Sequence, residues 1–132
     1  MGLRRVESGR GYERKVRHGA GTIAEGRLFF SSGMTSRDRD GNVVHKGDMA
    51  KQVEQCYTML GEALRAAGTD FEHVVKYTIF VTDIDAYRAV VEPIAAKYNA
   101  HRQSSTLVQV ARLAHPDFLV EVEAVAVLPD GR

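Results

Sequence analysis

Residues 104–127, SSTLVQVARLAHPDFLVEVEAVAV, constrain the fold more than any other stretch. In the first half, Thr106, Val108, Val110 and Arg112 alternate with Leu107, Gln109, Ala111 and Leu113. In the second, Val120, Val122, Ala124 and Ala126 alternate with Leu119, Glu121, Glu123 and Val125. A period of two carried by β-branched residues is the pattern of strands with one buried face. Two long strands are therefore expected, joined by a short loop at 114–117. Glu121 and Glu123 stand in the middle of the second. Carboxylates are rarely buried without a partner, so this pair either faces water or lines a cleft.

The rest of the chain supplies partners for these strands. Residues 27–32 read as a strand, with Leu28 and Phe30 on one face, ended by Gly33. Residues 74–82 read as another, with Val75, Tyr77, Ile79 and Val81 sharing a face. Between them, Val53, Cys56, Tyr57, Leu60 and Leu64 recur at helical spacing over 49–67. Asp48 is the expected N-cap of that helix and Gly68 its C′ glycine. A second helix, expected to be capped by Asp85, carries the stripe Tyr87, Val90, Val91, Ile94 and Tyr98. Pro93 removes a backbone hydrogen bond inside it, so this helix either bends or breaks in two. Residues 15–23 are expected to hold a short strand, 1–14 an irregular arm and 129–132 a frayed tail of a single domain spanning 1–132.

This order of elements predicts an α+β fold, with two helices on one face of a single sheet. The opposite face also carries apolar residues. An oligomer is the economical way to bury them, because large apolar patches are rare on monomers.

Composition narrows the function. A net charge of +1 provides no bulk attraction to nucleic acid or anionic membranes. No apolar run approaches the roughly 20 residues of a membrane span, and the first residues lack the apolar core of a secretory signal. A cytoplasmic protein is expected. The single cysteine, Cys56, excludes an intrachain disulfide and a cysteine-based zinc site. On the helix stripe it reads as a core thiol. The histidines at 18, 45, 73, 101 and 115 show no ligand spacing, so neither metal nor other cofactor is expected.

Four segments, in this order and spacing, carry a resemblance. They are GRLFFSSG at 26–33, LRAAG at 64–68 followed after a spacer by VVKYTIFVTD at 74–83, VQVARL at 108–113 and VEVEAVAV at 120–127. Together they resemble the RidA/YjgF family of small imine and enamine deaminases, some of which carry an endoribonuclease L-PSP label. The match runs from about 15 to 127. It implies a chorismate-mutase-like fold, a homotrimer, and small-molecule clefts between subunits. It also implies a role for Glu121 in orienting water or transferring a proton, with Ser32 and Gly33 beside the ligand.

The chain departs from the family pattern at three places. The arginine that grips a substrate carboxylate falls at Ser105, the cleft tyrosine at His18 or Gly19, and an asparagine at Val91. A hydroxyl cannot replace a bidentate guanidinium, so the chain resembles an arginine-less branch. Arg102 is the nearest guanidinium in sequence, about 10 Å away along an extended backbone. The candidate site is therefore Glu121 for catalysis, with His18, Ser32, Gly33, Ser105, Thr106 and Arg102 for the ligand. Each has a plainer reading. Glu121 can be a solvated carboxylate or a subunit salt bridge, His18 an exposed strand histidine, and Ser105 and Thr106 edge or turn hydroxyls. Glu123 reads as structural.

The expected reaction is hydrolysis of an imine or enamine to a carbonyl compound and ammonia, which needs one placed water and one proton-transfer group. The absent arginine argues against simple 2-imino acids. The rival is a non-catalytic metabolite-binding trimer. An endoribonuclease has less support, given the near-neutral composition and the lack of an RNase-like histidine pair.

Overall fold

The computed structural model describes residues 2–129. Strand β1 (Gly2–Val6) is followed by a 3-10 turn (Gly11–Arg14), β2 (Gly21–Glu25), β3 (Leu28–Phe30) and helix α1 (Met49–Ala67). A second 3-10 turn (Phe71–His73), β4 (Val74–Val81), α2 (Ile84–Val90), α3 (Glu92–Tyr98), β5 (Ser104–Gln109) and β6 (Val120–Val127) complete the chain.

The main sheet has the order β3-β6-β4-β5. Strand β6 runs antiparallel to β3 and β4, and β5 runs parallel to β4. The two strands expected from residues 104–127 are therefore present but are not neighbours, because β4 lies between them. Strand β5 ends at Gln109, and residues 110–119 make a much longer crossing than the expected loop. A parallel β4–β5 pair needs a crossover, which α2 and α3 provide.

Helix α1 has the expected bounds. The Asp48 carboxylate accepts from the Lys51 N–H at 3.0 Å, and Gly68 takes the left-handed conformation with φ +88°. The second helix differs. Its cap is Asp83, not Asp85, accepting from the Ala86 N–H at 3.0 Å. It is two helices, with Pro93 in the first turn of α3, where a missing N–H breaks no helical hydrogen bond.

The N-terminal residues also differ from expectation. Residues 2–6 are not irregular but pair with β2, from Gly2↔Glu25 to Val6↔Gly21, as a separate two-stranded ribbon. Their partner begins at Gly21, so 15–18 form no strand. Of the expected tail at 129–132, residues 130–132 lie outside the described residues.

Val120, Val122, Ala124 and Ala126 of β6 are buried against α1, together with Tyr77, Ile79 and Val81 of β4. An irregularity between Val74 and Lys76 turns Val74, rather than Val75, into this core. Tyr57 stacks on Tyr98 with ring centroids 4.8 Å apart. Cys56 is fully buried, and burial pushes its thiol up to about 12. All three helices lie on this side. The opposite face of the sheet is uncovered. Leu28, Phe30 and Val108 expose 46, 68 and 36 % of their surface there, beside Glu121 and Glu123.

Candidate functional site

Glu121 sits on β6 opposite Phe80, and Glu123 opposite Thr78, both on the uncovered face. The chain beyond β3 arches over them. The Ser31 N–H donates to the Ala124 carbonyl at 2.9 Å, and the Ala124 N–H returns to the Ser31 hydroxyl, also at 2.9 Å. The ladder resumes at Met34, which exchanges bonds of 2.8 and 3.0 Å with Val122. Ser32 and Gly33 span the gap. A Cβ added at Gly33 would stand 2.7 Å from Glu121 Cδ. The constraint here is close approach and not a positive φ, so a side chain at this position would have to push the Glu121 carboxyl aside. Partial burial, and secondarily the Glu123 charge, raises the Glu121 carboxyl above the usual range. Both effects disfavour its ionised form.

A concavity of about 560 Å³ opens on the helix side. Its floor is Ile79, Ser105 and Leu107, and its walls come from residues 14–18, from Tyr87, Arg88 and Val91 of the α2 region, and from α3. His18 and Ser105 therefore come together, and with Val91. These are the positions where the resemblance places a tyrosine, an arginine and an asparagine. His18 Nδ1 lies 3.1 Å from the Gly19 carbonyl. Burial pushes the Tyr87 hydroxyl up to about 12.

The cleft also holds residues that sequence reasoning missed. Arg17 is ion-paired with Glu92. Arg14, Lys15 and Arg88 also line the cleft, and no carboxylate among the described residues pairs with them. Two buried side-chain atoms lack a hydrogen-bond partner among the described residues, Arg17 Nε and Asn99 Oδ1, and both residues line this cleft. The only sequence signal was the basic run at 14–17. Nothing local linked it to α2 or Asn99.

Two candidates stand elsewhere. Thr106 faces the uncovered side in a row with Thr78 and Glu123, and accepts from Lys76 Nζ at 2.7 Å. Arg102, with φ +58°, does not line the cleft. Its Nε and Nη2 hold the Glu7 carboxylate, each at 3.1 Å. Its Nη1 donates to the Val16 carbonyl at 2.7 Å, and its Nη2 to the carbonyls of Glu13 at 2.9 Å and His18 at 3.0 Å. In this chain its guanidinium is engaged with the N-terminal segment and not with the lining of the cleft. Arg102 fixes the segment that forms the cleft wall.

The candidates fall into two halves. Ser105, level with Tyr77, faces the helices, whereas Glu121, level with Phe80, faces away. One chain does not present both to one ligand. Among the described residues no group of three or more His, Cys, Asp or Glu is placed to hold a metal ion. No helix among them is long and apolar enough to cross a membrane.

Comparison with known proteins adds to this geometry. The family model described as Endoribonuclease L-PSP matches residues 14–128. A RutC family protein of Synechocystis is 36 % identical over 110 residues, 81 % of this chain and 83 % of that protein. The human 2-iminobutanoate/2-iminopropanoate deaminase is 32 % identical, covering 76 % of this chain and 73 % of its own. Among solved structures, the Rid family protein YyfB of Yersinia pestis superposes with a TM-score of 0.86 at 25 % identity, over 97 % of this chain and all of that one. Escherichia coli TdcF with bound serine gives a TM-score of 0.66 at 27 % identity, over 80 and 84 %.

Proposed function

This chain belongs to the RidA/YjgF family, and we propose that it hydrolyses a reactive imine or enamine to a carbonyl compound and ammonia. The observation that carries this reading is the Glu121 carboxyl, raised in pKa and held beneath Gly33 on an uncovered sheet face. A carboxyl that keeps its proton more readily than usual suits proton transfer near neutral pH. Water adds its oxygen to the imine carbon while the C=N electron pair moves to nitrogen, which takes a proton by way of Glu121. The C–N bond of the resulting carbinolamine then breaks, ammonia leaves, and the carbonyl forms. Help of this kind contributes roughly 10²–10⁴-fold.

The site is assembled between subunits. Glu121, Gly33 and Ser32 of one copy face the cleft of a neighbour that carries His18 and Ser105. The apolar residues of the uncovered face supply the contact, and a homotrimer is the assembly proposed. This arrangement lets the two halves, on opposite sides of each sheet, act on one ligand. No cofactor enters the reaction. With Ser105 on the cleft floor, simple 2-imino acids are not the favoured substrates, because no guanidinium stands there to hold a carboxylate beside the reacting carbon.

That same serine favours a second reading, in which the assembly binds a metabolite without turning it over. Imines generated in situ, with and without carboxylates, separate the two. Hydrolysis above the spontaneous rate, lost in Glu121→Gln, supports the enzyme. No acceleration by a folded oligomer that still binds ligand supports the binding role.

A further inference from the structure

The cleft differs in charge from the chain that forms it. The whole chain carries +1, yet the lining that one chain gives the cleft sets Arg14, Lys15, Arg17 and Arg88 against one carboxylate, Glu92. Elsewhere Arg39, Lys97 and Arg102 each lie against a glutamate. Of the four cations in the cleft, only Arg17 is paired with a carboxylate among the described residues. Basic groups gathered in a concave, partly apolar site raise the local concentration of anions.

Hydrogen bonding points the same way. Among the described residues Arg17 Nε is a buried donor with no acceptor, and Asn99 Oδ1 a buried acceptor with no donor. Buried polar groups are nearly always paired, and here both exceptions belong to the wall of one cleft. A ligand bearing both an acceptor and a donor has the chemistry to satisfy them. The floor of Ile79, Leu107 and Ser105 carries no charge. The cations stand on the walls, contributed by residues 14–17 and by α2.

We propose that this cleft recognises a small carboxylate whose charged group lies several bonds from the reacting carbon, held by Arg17 and Arg88, while an N–H or O–H of the ligand donates to Asn99. The carbon chain lies on the apolar floor. This deepens the reading of the site as an imine hydrolase and rests on it for the identity of the reacting carbon. It selects imines of 4- or 5-oxo acids over those of 2-oxo acids.

The test measures binding apart from turnover. Titration calorimetry is run on the wild type, R88Q, R17Q and E92Q with 4-oxopentanoate, its neutral methyl ester and pyruvate. The expected order is 4-oxopentanoate tightest, weakened roughly tenfold or more by R88Q or R17Q, as loss of a charge-assisted bond implies. E92Q should tighten it, because Glu92 competes for Arg17, an effect that a merely structural arginine would not produce. Equal affinity for acid and ester, tighter binding of pyruvate, or indifference to all three substitutions in folded protein would overturn the proposal. Hydrolysis of the corresponding imines is followed in parallel. Selective binding without turnover removes the hydrolase and leaves this cleft assignment standing. Turnover with charge-blind binding removes the assignment and leaves the hydrolase.

Discussion

Gly33 lies against the Glu121 carboxyl so closely that a single methyl group at 33 would come within 2.7 Å of Glu121 Cδ. The arch between Ser31 and Met34 is pinned at both ends to β6, so the backbone has little room to retreat. In Gly33→Ala the carboxyl must move instead. A displacement of about 1 Å at a catalytic group lowers turnover on the order of 10²-fold. The melting temperature should fall by only a few degrees, because no core residue is lost. Steady-state imine hydrolysis and a thermal melt on the same preparation check this.

Glu121→Gln should separate activity from stability. The folded state raises the Glu121 pKa through partial burial and through Glu123. Such a carboxyl contributes stability below its unfolded pKa and loses that contribution as pH rises through its folded pKa. Near pH 7 the glutamine variant should thus be at least as stable as the wild type, and any advantage should shrink on acidification. Thermal melts at pH 4 and pH 7.5 read the difference. A variant that melts well below the wild type at pH 7.5 would mean that the carboxylate holds the fold together.

Arg102 ties the N-terminal segment to the start of the strand that floors the cleft, through Glu7 and three backbone carbonyls. A lysine has one ammonium on a flexible stem and cannot hold all four. Arg102→Lys should cost about 2 kcal/mol, as expected for losing bonds to a charged group. It should also speed proteolysis within residues 7–18 and weaken ligand binding more than it lowers the maximal rate. Limited proteolysis with mass mapping tests the first effect and a split of KM against kcat the second.

Cys56 is wholly buried, with its thiol pushed up to about 12. Reactivity follows the thiolate, so a disulfide reagent should leave the native protein unmodified over hours. It should label one thiol per chain on denaturation, and labelling in mild denaturant should track the unfolding rate. Rapid labelling in native buffer would contradict the core placement.

Some of this was legible in the sequence because it is local. Helix α1 has a cap, a stripe and a terminating glycine within one segment, and its bounds came out as expected. The face assignment in β6 followed from strict alternation. Strand order did not, since nothing in residues 104–127 says that β4 inserts between β5 and β6. Asp83 and Asp85 both suit a cap, and only the chain path from β4 favours the first. Glycines at 19 and 21 concealed where β2 begins, and the arginines in GLRRV concealed β1. In the candidate site, Glu121, Gly33, His18 and Ser105 were proposed through the family resemblance. Arg17, Arg88 and Asn99 were not, because they come from three segments that meet only in the folded chain.

The central claim is that one active site is shared by two copies, with Glu121 from one and the His18–Ser105 cleft from the next. Glu121→Gln and a cleft-filling Ser105→Tyr should each be inactive alone on the best imine of the panel. Co-expressed with separate tags and purified as mixed oligomers, they should recover activity. In randomly mixed trimers about a quarter of the interfaces carry both intact halves, and the recovered rate should approach that fraction of wild type. Mixed oligomers of verified composition that stay inactive would contradict the account.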